Sequence, residues 1–434
     1  MTSFTTRQQA LQRDADDALA PLRAQFALPD GLIYLDGNSL GVLPRTTAAR
    51  LSQVVTDEWG TGLIGSWNTA GWMQLPQRIG DKIGALVGAK PGEVVAADST
   101  SVNLFKVLSA ALKIARDGQP DGSARTVIVS ERSNFPTDLY IAETLAREHG
   151  CTLRLVASPE QIPAALDGST ALLMLTHVNY RTGRMHDMAA LSAAAHAAGA
   201  LAVWDLAHSA GAVPVDLHAD GADFAVGCGY KYLNGGPGAP AFCWVHPRHV
   251  DRFVQPLSGW IGHASPFEFT PGYAPAAGIS RYLCGTPAVL SLAALECGVD
   301  TFDAAAPFGG MAAIRSKSLA LTRLFIELVD ARCAGHGLEM ISPRDDARRG
   351  SQVCLGRQLG DGGYAIVQAL IQRGVVGDFR AGDAKDGLPD ILRFGVTPLY
   401  TRFVDVWDAV EHLVQVLDSG EWREERFHRR GAVT

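Results

Sequence analysis

The chain has 434 residues, of which 47% are hydrophobic and 19% are charged, and its formal net charge is -7. This length exceeds a usual single core, and the negative charge excludes a basic surface for nucleic acid. No apolar run is long enough to span a bilayer, and residues 1–20 lack the apolar segment of a signal peptide. We therefore expect a globular cytoplasmic enzyme with two domains.

The cysteines are scattered, odd in number and without a C-x-x-C motif. This usage predicts reduced thiols that pack as small buried side chains. The chain also lacks H-E-x-x-H, paired-cysteine zinc spacing and a Walker lysine, so we expect no bound metal. The seven positions are Cys151, Cys228, Cys243, Cys284, Cys297, Cys333 and Cys354.

The first predicted elements mix helices and short strands. Apolar spacing and proline positions indicate each of them. In chain order they are an amphipathic helix over 7–27 interrupted near Pro21, a strand at 33–36, a helix over about 45–59, a loop over 60–71, a helix over about 73–88 and a strand at 94–97.

Strands and helices then alternate, which predicts a parallel sheet with helices on both faces. The helices are expected from 99–101 to about 116, over 136–148 and over 187–198. The strands are expected at 126–130, 152–156, 171–176, 200–205, 223–226 and 241–245.

After about residue 285 the pattern changes to longer helices and shorter strands, which predicts a second, smaller α+β domain. The charged tail from Glu421 onward is expected to fray. The predicted helices lie at 287–298, 311–333, 363–373 and 402–416, and the strands at 338–341, 351–355 and 391–395.

Two of the apolar runs end in residues that suit a cofactor. Residues 200–204 end at Asp205, and residues 223–226 lead to Tyr230 and Lys231. Ligands of open α/β sheets lie beyond the carboxyl ends of such strands. Pyridoxal phosphate (PLP) needs an amine for covalent attachment and an anion beside its ring nitrogen. Lys231 and Asp205 together predict a PLP site, although either one alone would be read as an ordinary surface or strand-end residue.

Three more features could contact the same cofactor. The segment Ser99-Thr100-Ser101 opens a helix, where hydroxyls and free N–H groups bind phosphate or simply cap the helix. Phe135 follows a strand, so its ring could stack on the cofactor or belong to the core. His208 lies three residues after Asp205, and the hydroxyl of Tyr230 could donate a proton.

Two short motifs match sequence patterns of other enzyme classes. Gly37-Asn38-Ser39-Leu40-Gly41 matches the nucleophile pattern G-x-S-x-G, but too few residues precede it to build the earlier strands of a hydrolase. Residues 60–65 match G-x-G-x-x-G, but they follow a helical stretch where a dinucleotide site needs a strand.

Ten segments resemble the kynureninase family of PLP enzymes, which has the aspartate-aminotransferase-like fold. They keep the order of that family and span nearly the whole chain, so they are more specific than the lysine and aspartate alone. The segments are YLDGNSLG (34–41), SWNTAGW (66–72), STSVNLFK (99–106), NFPTDLY (134–140), THVNYRTG (176–183), WDLAHSAGAVPVDLH (204–218), YKYLNGGPG (230–238), LSGWIGH (257–263), RYLCGT (281–286) and RFGVTPLY (393–400).

The resemblance implies an α/β protein of PLP fold type I. Its large domain would have a mainly parallel seven-stranded sheet flanked by helices, and its smaller C-terminal domain would be α+β. Residues 1–45 would be an N-terminal segment packing with the small domain, residues 46–290 the PLP-binding domain, and residues 291–434 the small domain.

The resemblance also implies roles for matching residues. Lys231 would hold PLP covalently, Asp205 would contact the pyridine nitrogen, and Tyr230 is the candidate proton donor. Arg393 would bind the substrate α-carboxylate, with Ser39 and Trp67 near the substrate. The residues expected to bind the cofactor are Thr100, Ser101, Phe135, Asp138, Thr176, Asp205, His208, Tyr230, Lys231, Trp260 and Thr286.

The implied reaction is the hydrolytic cleavage of the Cβ–Cγ bond of L-kynurenine to anthranilate and L-alanine, in tryptophan catabolism. The implied active unit is a homodimer in which Trp260 and Thr286 come from the neighbouring subunit. Trp67 and Thr286 replace a histidine and an asparagine of the animal branch, which favours kynurenine over 3-hydroxykynurenine as substrate.

Three alternative functions are left open by the residues themselves. A cysteine desulfurase or selenocysteine lyase of the same fold would need a loop cysteine, for which Cys284 and Cys354 are candidates. A serine hydrolase would use Ser39. A PLP-binding regulator would need a basic helix-turn-helix, and the sequence contains no such stretch.

Overall fold

The computed structural model describes residues 4–117 and 125–431. Within these residues the chain divides into two compact units. The sheet unit comprises Thr46–Asn179 and His186–Asp300, and the C-terminal unit comprises Met1–Arg45, Tyr180–Met185 and Thr301–Thr434. A short excursion of the chain at residues 180–185 therefore belongs to the C-terminal unit although its neighbours in sequence belong to the sheet unit.

The strands of the described residues are mostly short. In chain order they are β1 (Ile33–Tyr34), β2 (Val94–Ala96), β3 (Val127–Glu131), β4 (Thr152–Val156), β5 (Thr170–Thr176), β6 (Leu201–Asp205), β7 (Phe224–Gly227), β8 (Phe242–Val245), β9 (Leu338–Met340), β10 (Gln352–Arg357), β11 (Val375–Val376), β12 (Asp378–Arg380) and β13 (Asp390–Gly395).

Most of the longer α-helices lie within a few residues of their predicted positions, but the helix predicted over 7–27 ends at Ala15, and the four-residue helices at 66–69, 162–165 and 247–250 were not predicted. They are α1 (Arg7–Ala15), α2 (Arg45–Gln53), α3 (Ser66–Thr69), α4 (Leu75–Leu86), α5 (Thr100–Asp117), α6 (Pro136–Glu148), α7 (Ile162–Ala165), α8 (Met188–Ala197), α9 (Pro247–Val250), α10 (Val289–Asp300), α11 (Gly310–Arg332), α12 (Gly363–Gln372) and α13 (Phe403–Ser419). Among the described residues, none of these helices combines the length and apolar character needed to cross a membrane.

The sheet unit is built on seven strands in the order β2-β8-β7-β6-β5-β3-β4. Strand β8 is antiparallel to both of its neighbours, and the other pairings are parallel. Strands β3, β5 and β7 are buried along their whole length, as expected for parallel strands covered on both faces. The predicted mainly parallel seven-stranded sheet of an α/β protein is confirmed.

The C-terminal unit contains a four-stranded antiparallel sheet in the order β12-β13-β10-β9 and a parallel pair of β1 and β11. Helices α11, α12 and α13 bury their apolar faces in one core with β10 and β13. The N-terminal helix α1 packs in this unit, because both Asp14 carboxylate oxygens accept backbone N–H groups of Phe403 and Val404 at 2.6 and 2.9 Å. These bonds provide acceptors for backbone N–H groups at the start of α13 that have no partner within the helix.

Some local expectations were wrong. The helix predicted to reach residue 59 loses its α-helical form after Gln53 and continues as a π-helical turn. The stretch expected to be a loop over 60–71 contains α3 and a 3₁₀ turn. The tail does not fray at residues 421–428, because Trp422 and Phe427 are buried there. Two buried aromatic rings outweigh the charged composition that suggested disorder.

The cysteines have free thiols throughout, and six of the seven are buried. Cys284 is the exception, since it is partly exposed. Cys354 lies inside β10 and is fully buried, so it does not stand on a mobile loop. Because burial also raises the pKa of the Cys354 thiol to about 11, it is not a nucleophile of the desulfurase kind.

Candidate active site

The site of the sheet unit is formed where four adjacent parallel strands end. Lys231 follows β7, Asp205 is the last residue of β6, Thr176 is the last residue of β5, and Phe135 follows β3. These strands are neighbours in the sheet in that order. Carboxyl ends of parallel strands meet at one edge, so the fold collects these four side chains at the place where α/β ligands bind.

Lys231 is held in a tight turn after β7. The N–H of Asn234 donates to the Lys231 carbonyl at 2.9 Å, and the N–H of Gly235 donates to the Gly229 carbonyl at 2.9 Å. A Cβ on Gly229 would lie 2.3 Å from the carbonyl oxygen of Pro240, so only glycine fits there. The glycines seen around the lysine in the sequence therefore serve the close approach of backbone segments.

The ammonium of Lys231 lies among groups that suit a flat cofactor. Its Nζ is 3.1 Å from Nε2 of His208. The same Nζ is 5.7 Å from the centres of the Phe135 and Tyr230 rings. His208 is buried, whereas Phe135 is partly exposed, so one face of this group remains open to a ligand.

Two buried carboxyl groups, Asp138 and Asp205, share this end of the sheet. Burial, and then the charge of Asp205, raise the pKa of Asp138 well above its usual range. Burial also raises the pKa of Asp205, but the charge of Lys231 and the Ala207 N–H at 2.8 Å oppose that rise. The proton therefore resides on Asp138, which donates to Asp205 and leaves the strand-end carboxylate charged.

A hydrogen-bonded network that the sequence reasoning did not assign supports this pair. The hydroxyl of Thr176 donates to Oδ1 of Asn134 and lies 3.4 Å from Oδ2 of Asp138. The N–H of Phe135 also donates to Oδ1 of Asn134, at 2.7 Å. Asn134 thus fixes the backbone at Phe135. Its only sequence signal was its place beside Phe135 in the segment 134–140.

A cavity of about 460 Å³ in the sheet unit has hydroxyl groups on several sides. Its lining includes Ser99 and Thr100 from the start of α5, together with Tyr230 and Thr286. Ser101, which was predicted to bind phosphate, is not part of the lining, whereas Ser99 is. Thr286 reaches this cavity within its own chain, and its predicted role across a subunit interface stays a prediction.

Tyr230 lies between the cavity and the lysine. Burial, followed by the charges of Cys228 and Asp205, raises the pKa of its phenol above the usual range. The hydroxyl therefore keeps its proton at neutral pH. A protonated phenol at this position can donate a proton or a hydrogen bond, and it cannot serve as a base.

The predicted residues Trp67 and Trp260 meet in an aromatic cluster of the sheet unit. Their ring centres are 5.7 Å apart, and Trp260 also contacts Phe267 and Phe269 at 5.6 and 6.2 Å. Phe267 and Phe269 are largely exposed. The sequence reasoning missed both phenylalanines because no motif marks them.

In the C-terminal unit, Arg393 and Ser39 lie together as predicted for neighbours of a substrate. Nη2 of Arg393 donates to the Ser39 hydroxyl at 2.7 Å and to Asp378, and Nη1 donates to the Tyr180 carbonyl at 3.1 Å. Arg393 is almost completely buried, and its Nε has no hydrogen-bond partner among the described residues. A buried guanidinium with an unused N–H donor can bind a carboxylate by donating hydrogen bonds to it.

Ser39 does not have the surroundings of a hydrolase nucleophile. It follows the two-residue strand β1 at the end of a small pair, and its hydroxyl contacts Arg393 and Asp378. A nucleophilic serine needs a base to activate it, whereas the Asp378 carboxylate beside Ser39 is held by Arg380 and Arg393, and an arginine is always a donor. Residues 60–65 follow the π-helical turn and form a 3₁₀ turn, so they are not a dinucleotide loop either.

Asp36 shares the surroundings of Asp378 and Arg393. Burial, and then the charge of Asp378, raise the pKa of Asp36 to about 7, although Arg393 opposes the rise. The folded protein therefore binds a proton at Asp36 that the unfolded chain releases above about pH 4. The contribution of Asp36 to the unfolding free energy is fully present below that pH and is lost as the pH rises towards 7.

We expect Asp36→Asn to reduce the pH dependence of the unfolding free energy between about pH 4 and pH 7. The rise of the Asp36 pKa from 3.8 to about 7 corresponds to at most about 4 kcal/mol of unfolding free energy. Denaturant midpoints at pH 5 and pH 8 measure the effect: the variant should gain stability relative to the parent at pH 8. The exposed Asp30 offers the control Asp30→Asn. Equal shifts at both pH values would contradict the proton on Asp36.

The groups around Lys231 fit PLP by their chemistry. An amine, a charged carboxylate at a neighbouring strand end and an aromatic face meet there, and a cavity with hydroxyl groups adjoins Tyr230. These are the groups that hold a pyridine ring and a phosphate. Fold and site together define the chain as a PLP-dependent enzyme of fold type I.

Solved structures share this fold at low sequence identity. The cysteine desulfurase from Thermococcus onnurineus NA1 matches with a TM-score of 0.76 and 19% identity, over 92% of this chain and 98% of that chain. The cysteine desulfurase CsdA from Escherichia coli matches with a TM-score of 0.74 and 20% identity, over the same shares. A mutant of C-DES with glycine covalently linked to its PLP cofactor matches with a TM-score of 0.73, at 17% identity and over 91% and 98% of the two chains.

Sequence relatives are far more similar. The kynureninase of Pseudomonas fluorescens is 57% identical over 433 residues, which is 99% of this chain and 100% of that protein. The kynureninase of Burkholderia pseudomallei (strain 1106a) is 56% identical over 431 residues, with the same shares. Residues 314–413 match the family model of the kynureninase C-terminal domain. The chain belongs to the kynureninase family.

Proposed function

We propose that the enzyme hydrolyses the Cβ–Cγ bond of L-kynurenine to give anthranilate and L-alanine, with PLP bound covalently to Lys231. The observation that carries the proposal is the set of strand ends that places Lys231, Asp205 and Phe135 together, in a chain with relatives named kynureninase over its full length. The reaction belongs to tryptophan catabolism. The free thiols of the cysteines are compatible with the predicted cytoplasmic location.

The cofactor supplies an electron sink for the bonds broken at Cα and Cβ of the substrate. Asp205 would keep the ring nitrogen protonated, because Asp138 carries the shared proton and leaves Asp205 charged. Lys231 would remove the α-proton of the substrate as a general base. Phe135 would pack its ring against the cofactor ring.

Proton delivery to Cβ falls to Tyr230 in this proposal. Its phenol keeps its proton at neutral pH and lines the cavity assigned to the phosphate. His208 is 3.1 Å from the Lys231 ammonium and orients the amine. Water adds to the γ-carbonyl, anthranilate leaves when the Cβ–Cγ bond breaks, and L-alanine leaves last.

Two positions set the preference for the substrate ring. Trp67 contributes an apolar face from the aromatic cluster, and Thr286 contributes a short side chain at the cavity. We propose that this pair favours kynurenine over 3-hydroxykynurenine, because neither side chain offers the histidine or amide of the animal branch.

Arg393→Ala is expected to raise KM for L-kynurenine by about 10²-fold with a smaller effect on kcat. A charged hydrogen bond to a carboxylate contributes about 1.5–3 kcal/mol, and a contact made equally in the ground state and transition state affects mainly KM. Steady-state kinetics at saturating PLP measures both constants. An unchanged KM would remove Arg393 from substrate binding.

A matched control separates substrate contact from loss of an ion pair. Arg380 also pairs with Asp378, at 2.9 Å, but its side chain is 36% exposed. Arg380→Ala should leave KM within about threefold, since exposed pairs contribute little. If Arg380→Ala raises KM as much as Arg393→Ala, the effect comes from the loss of an ion pair to Asp378 and not from a contact with the substrate.

We also propose that the active unit is a homodimer with Trp260 and Thr286 contributed across the interface. An exposed apolar surface supports an interface: Trp59, Leu63, Ile64 and Leu290 are all largely exposed. A groove next to them is lined by Trp59, Trp72 and residues 287–291. Analytical ultracentrifugation should give twice the chain mass, and a fully active monomer would contradict the proposal.

The proposed function is tested by anthranilate release from L-kynurenine. The purified, PLP-loaded enzyme should release anthranilate and L-alanine in equal amounts. The ratio of kcat/KM for kynurenine to that for 3-hydroxykynurenine then tests Trp67 and Thr286. Release of sulfur from cysteine without anthranilate formation would instead favour the desulfurase function.

A further inference from the structure

Lys106 is a buried cation that the proposed mechanism does not use. It lies in the second turn of α5, and its side chain is completely inaccessible to solvent. Its Nζ donates to Oδ2 of Asp98 and, at 2.7 Å, to the carbonyl oxygen of Tyr282. Burying a lysine lowers the free energy of unfolding unless the ammonium is paired and hydrogen-bonded. Its two partners therefore indicate what the ammonium positions.

Asp98 has a backbone conformation that needs support. It stands between β2 and α5 with a φ of +53°, in the left-handed region that aspartate enters at a cost. Its carbonyl accepts the N–H of Ala241 at 2.9 Å, while its carboxylate is held by Lys106. Ser99 and Thr100 follow at once, so the turn at Asp98 determines where they point.

The second partner of Lys106 directly precedes another segment of the cavity lining. Tyr282 ends a 3₁₀ turn and is followed by residues 283–286, all of which line the cavity together with Asp98, Ser99 and Thr100. A Cβ on Gly259 would lie 2.3 Å from the Cys284 carbonyl oxygen, so this segment is closely packed. A single ammonium therefore joins the Asp98 turn to the segment that begins at Tyr282.

We propose that Lys106 is a positioning residue for the phosphate of PLP, which it serves by holding the Asp98 turn against the Tyr282 carbonyl so that Ser99 and Thr100 face the phosphate. The inference rests on the proposed PLP site. It assigns to Lys106 no contact with the cofactor. Preorganised hydroxyl and N–H donors bind an anion without a cost of rearrangement, and that advantage is lost when the turn is free to relax.

The test compares PLP with pyridoxal, which has the same ring and aldehyde but no phosphate. The full chain, freed of cofactor, is titrated with each compound and the absorbance of the lysine-bound chromophore is followed. Lys106→Met keeps the length of the side chain and removes its charge. We expect it to weaken PLP binding at least tenfold, about 1.4 kcal/mol, and to change pyridoxal binding less than twofold.

Control variants keep the test decisive. Lys113→Met removes an exposed lysine from the same helix, where it pairs with Asp117, and should change neither affinity. Asp98→Asn keeps a residue that tolerates positive φ and still accepts from Lys106, so it should weaken PLP binding less than Asp98→Ala does, and both should weaken PLP binding more than pyridoxal binding. If Lys106→Met does not fold, the comparison of Asp98→Asn with Asp98→Ala tests the positioning role of Lys106.

Two results would overturn the inference. Equal losses for PLP and pyridoxal in Lys106→Met and Asp98→Ala would show a general structural role, and unchanged affinities would show no role. If the parent chain prefers PLP strongly while the variants behave like it, only this inference fails. If the parent chain binds neither compound at Lys231, the proposed function itself fails.

Discussion

Replacing Lys231 by alanine is expected to lower kcat for anthranilate release by at least about 10⁴-fold. The substitution removes both the covalent attachment of the cofactor and the base for the α-proton, and general base catalysis alone contributes about 10²–10⁴. Borohydride reduction, followed by peptide mass analysis, should fix PLP to the peptide containing Lys231 in the parent and to none in the variant.

The exposed Lys90 provides the control for this experiment. Lys90→Ala removes a surface lysine of the sheet unit and should leave kcat, KM and the reduced peptide unchanged. Turnover of Lys231→Ala near the parent rate would contradict the assignment of Lys231 as the catalytic lysine. Fixation of PLP to another lysine in the variant, with residual activity, would move the attachment site elsewhere.

Replacing Asp205 by alanine should produce the second largest loss. Without a carboxylate beside the ring nitrogen, the negative charge that develops at Cα is stabilised less, and removal of the α-proton should slow by about 10³-fold, or about 4 kcal/mol. L-Alanine, the amino acid product, is a convenient probe. The parent should exchange its α-proton with deuterium from solvent, and Asp205→Ala should not.

Asp138 supplies the matched comparison, because the two carboxyl groups share a proton. Asp138→Asn keeps a donor towards Asp205, so α-proton exchange should fall by less than about tenfold. Asp138→Ala removes the donor and should have a larger effect. If Asp138→Asn abolished exchange as completely as Asp205→Ala, the charge would lie on Asp138, contrary to the direction of the two pKa shifts.

The strands and helices of the sheet unit were predictable because their signals are local. Helix α6 and strand β4 have the predicted bounds, since Pro136 starts the helix and an apolar run forms the strand. Strands β11 and β12 were missed. They have two and three residues, too few for a periodic pattern, and they are strands only because β1 and β13 pair with them.

The site could be predicted in part for the same reason. A lysine and an aspartate just beyond two apolar runs indicate the end of a parallel sheet, and the ten family segments supply the remaining candidates. The residues that were missed, Asn134, Asp378 and Asp36, act through partners distant in sequence. The bond from Arg393 to Asp378 spans 15 residues, and that from Thr176 to Asn134 spans 42.

By itself, the sequence determined most of the order of strands and helices and the class of cofactor, because each depends on residue type and short-range spacing. Tertiary structure alone decided which buried charges meet. The shared proton of Asp138 and Asp205 and the raised pKa of Asp36 arise from burial beside another charge. Lys106 joins Asp98 to Tyr282 across 176 residues of chain. Such effects depend on distance in space and on exclusion of water, which no local pattern encodes.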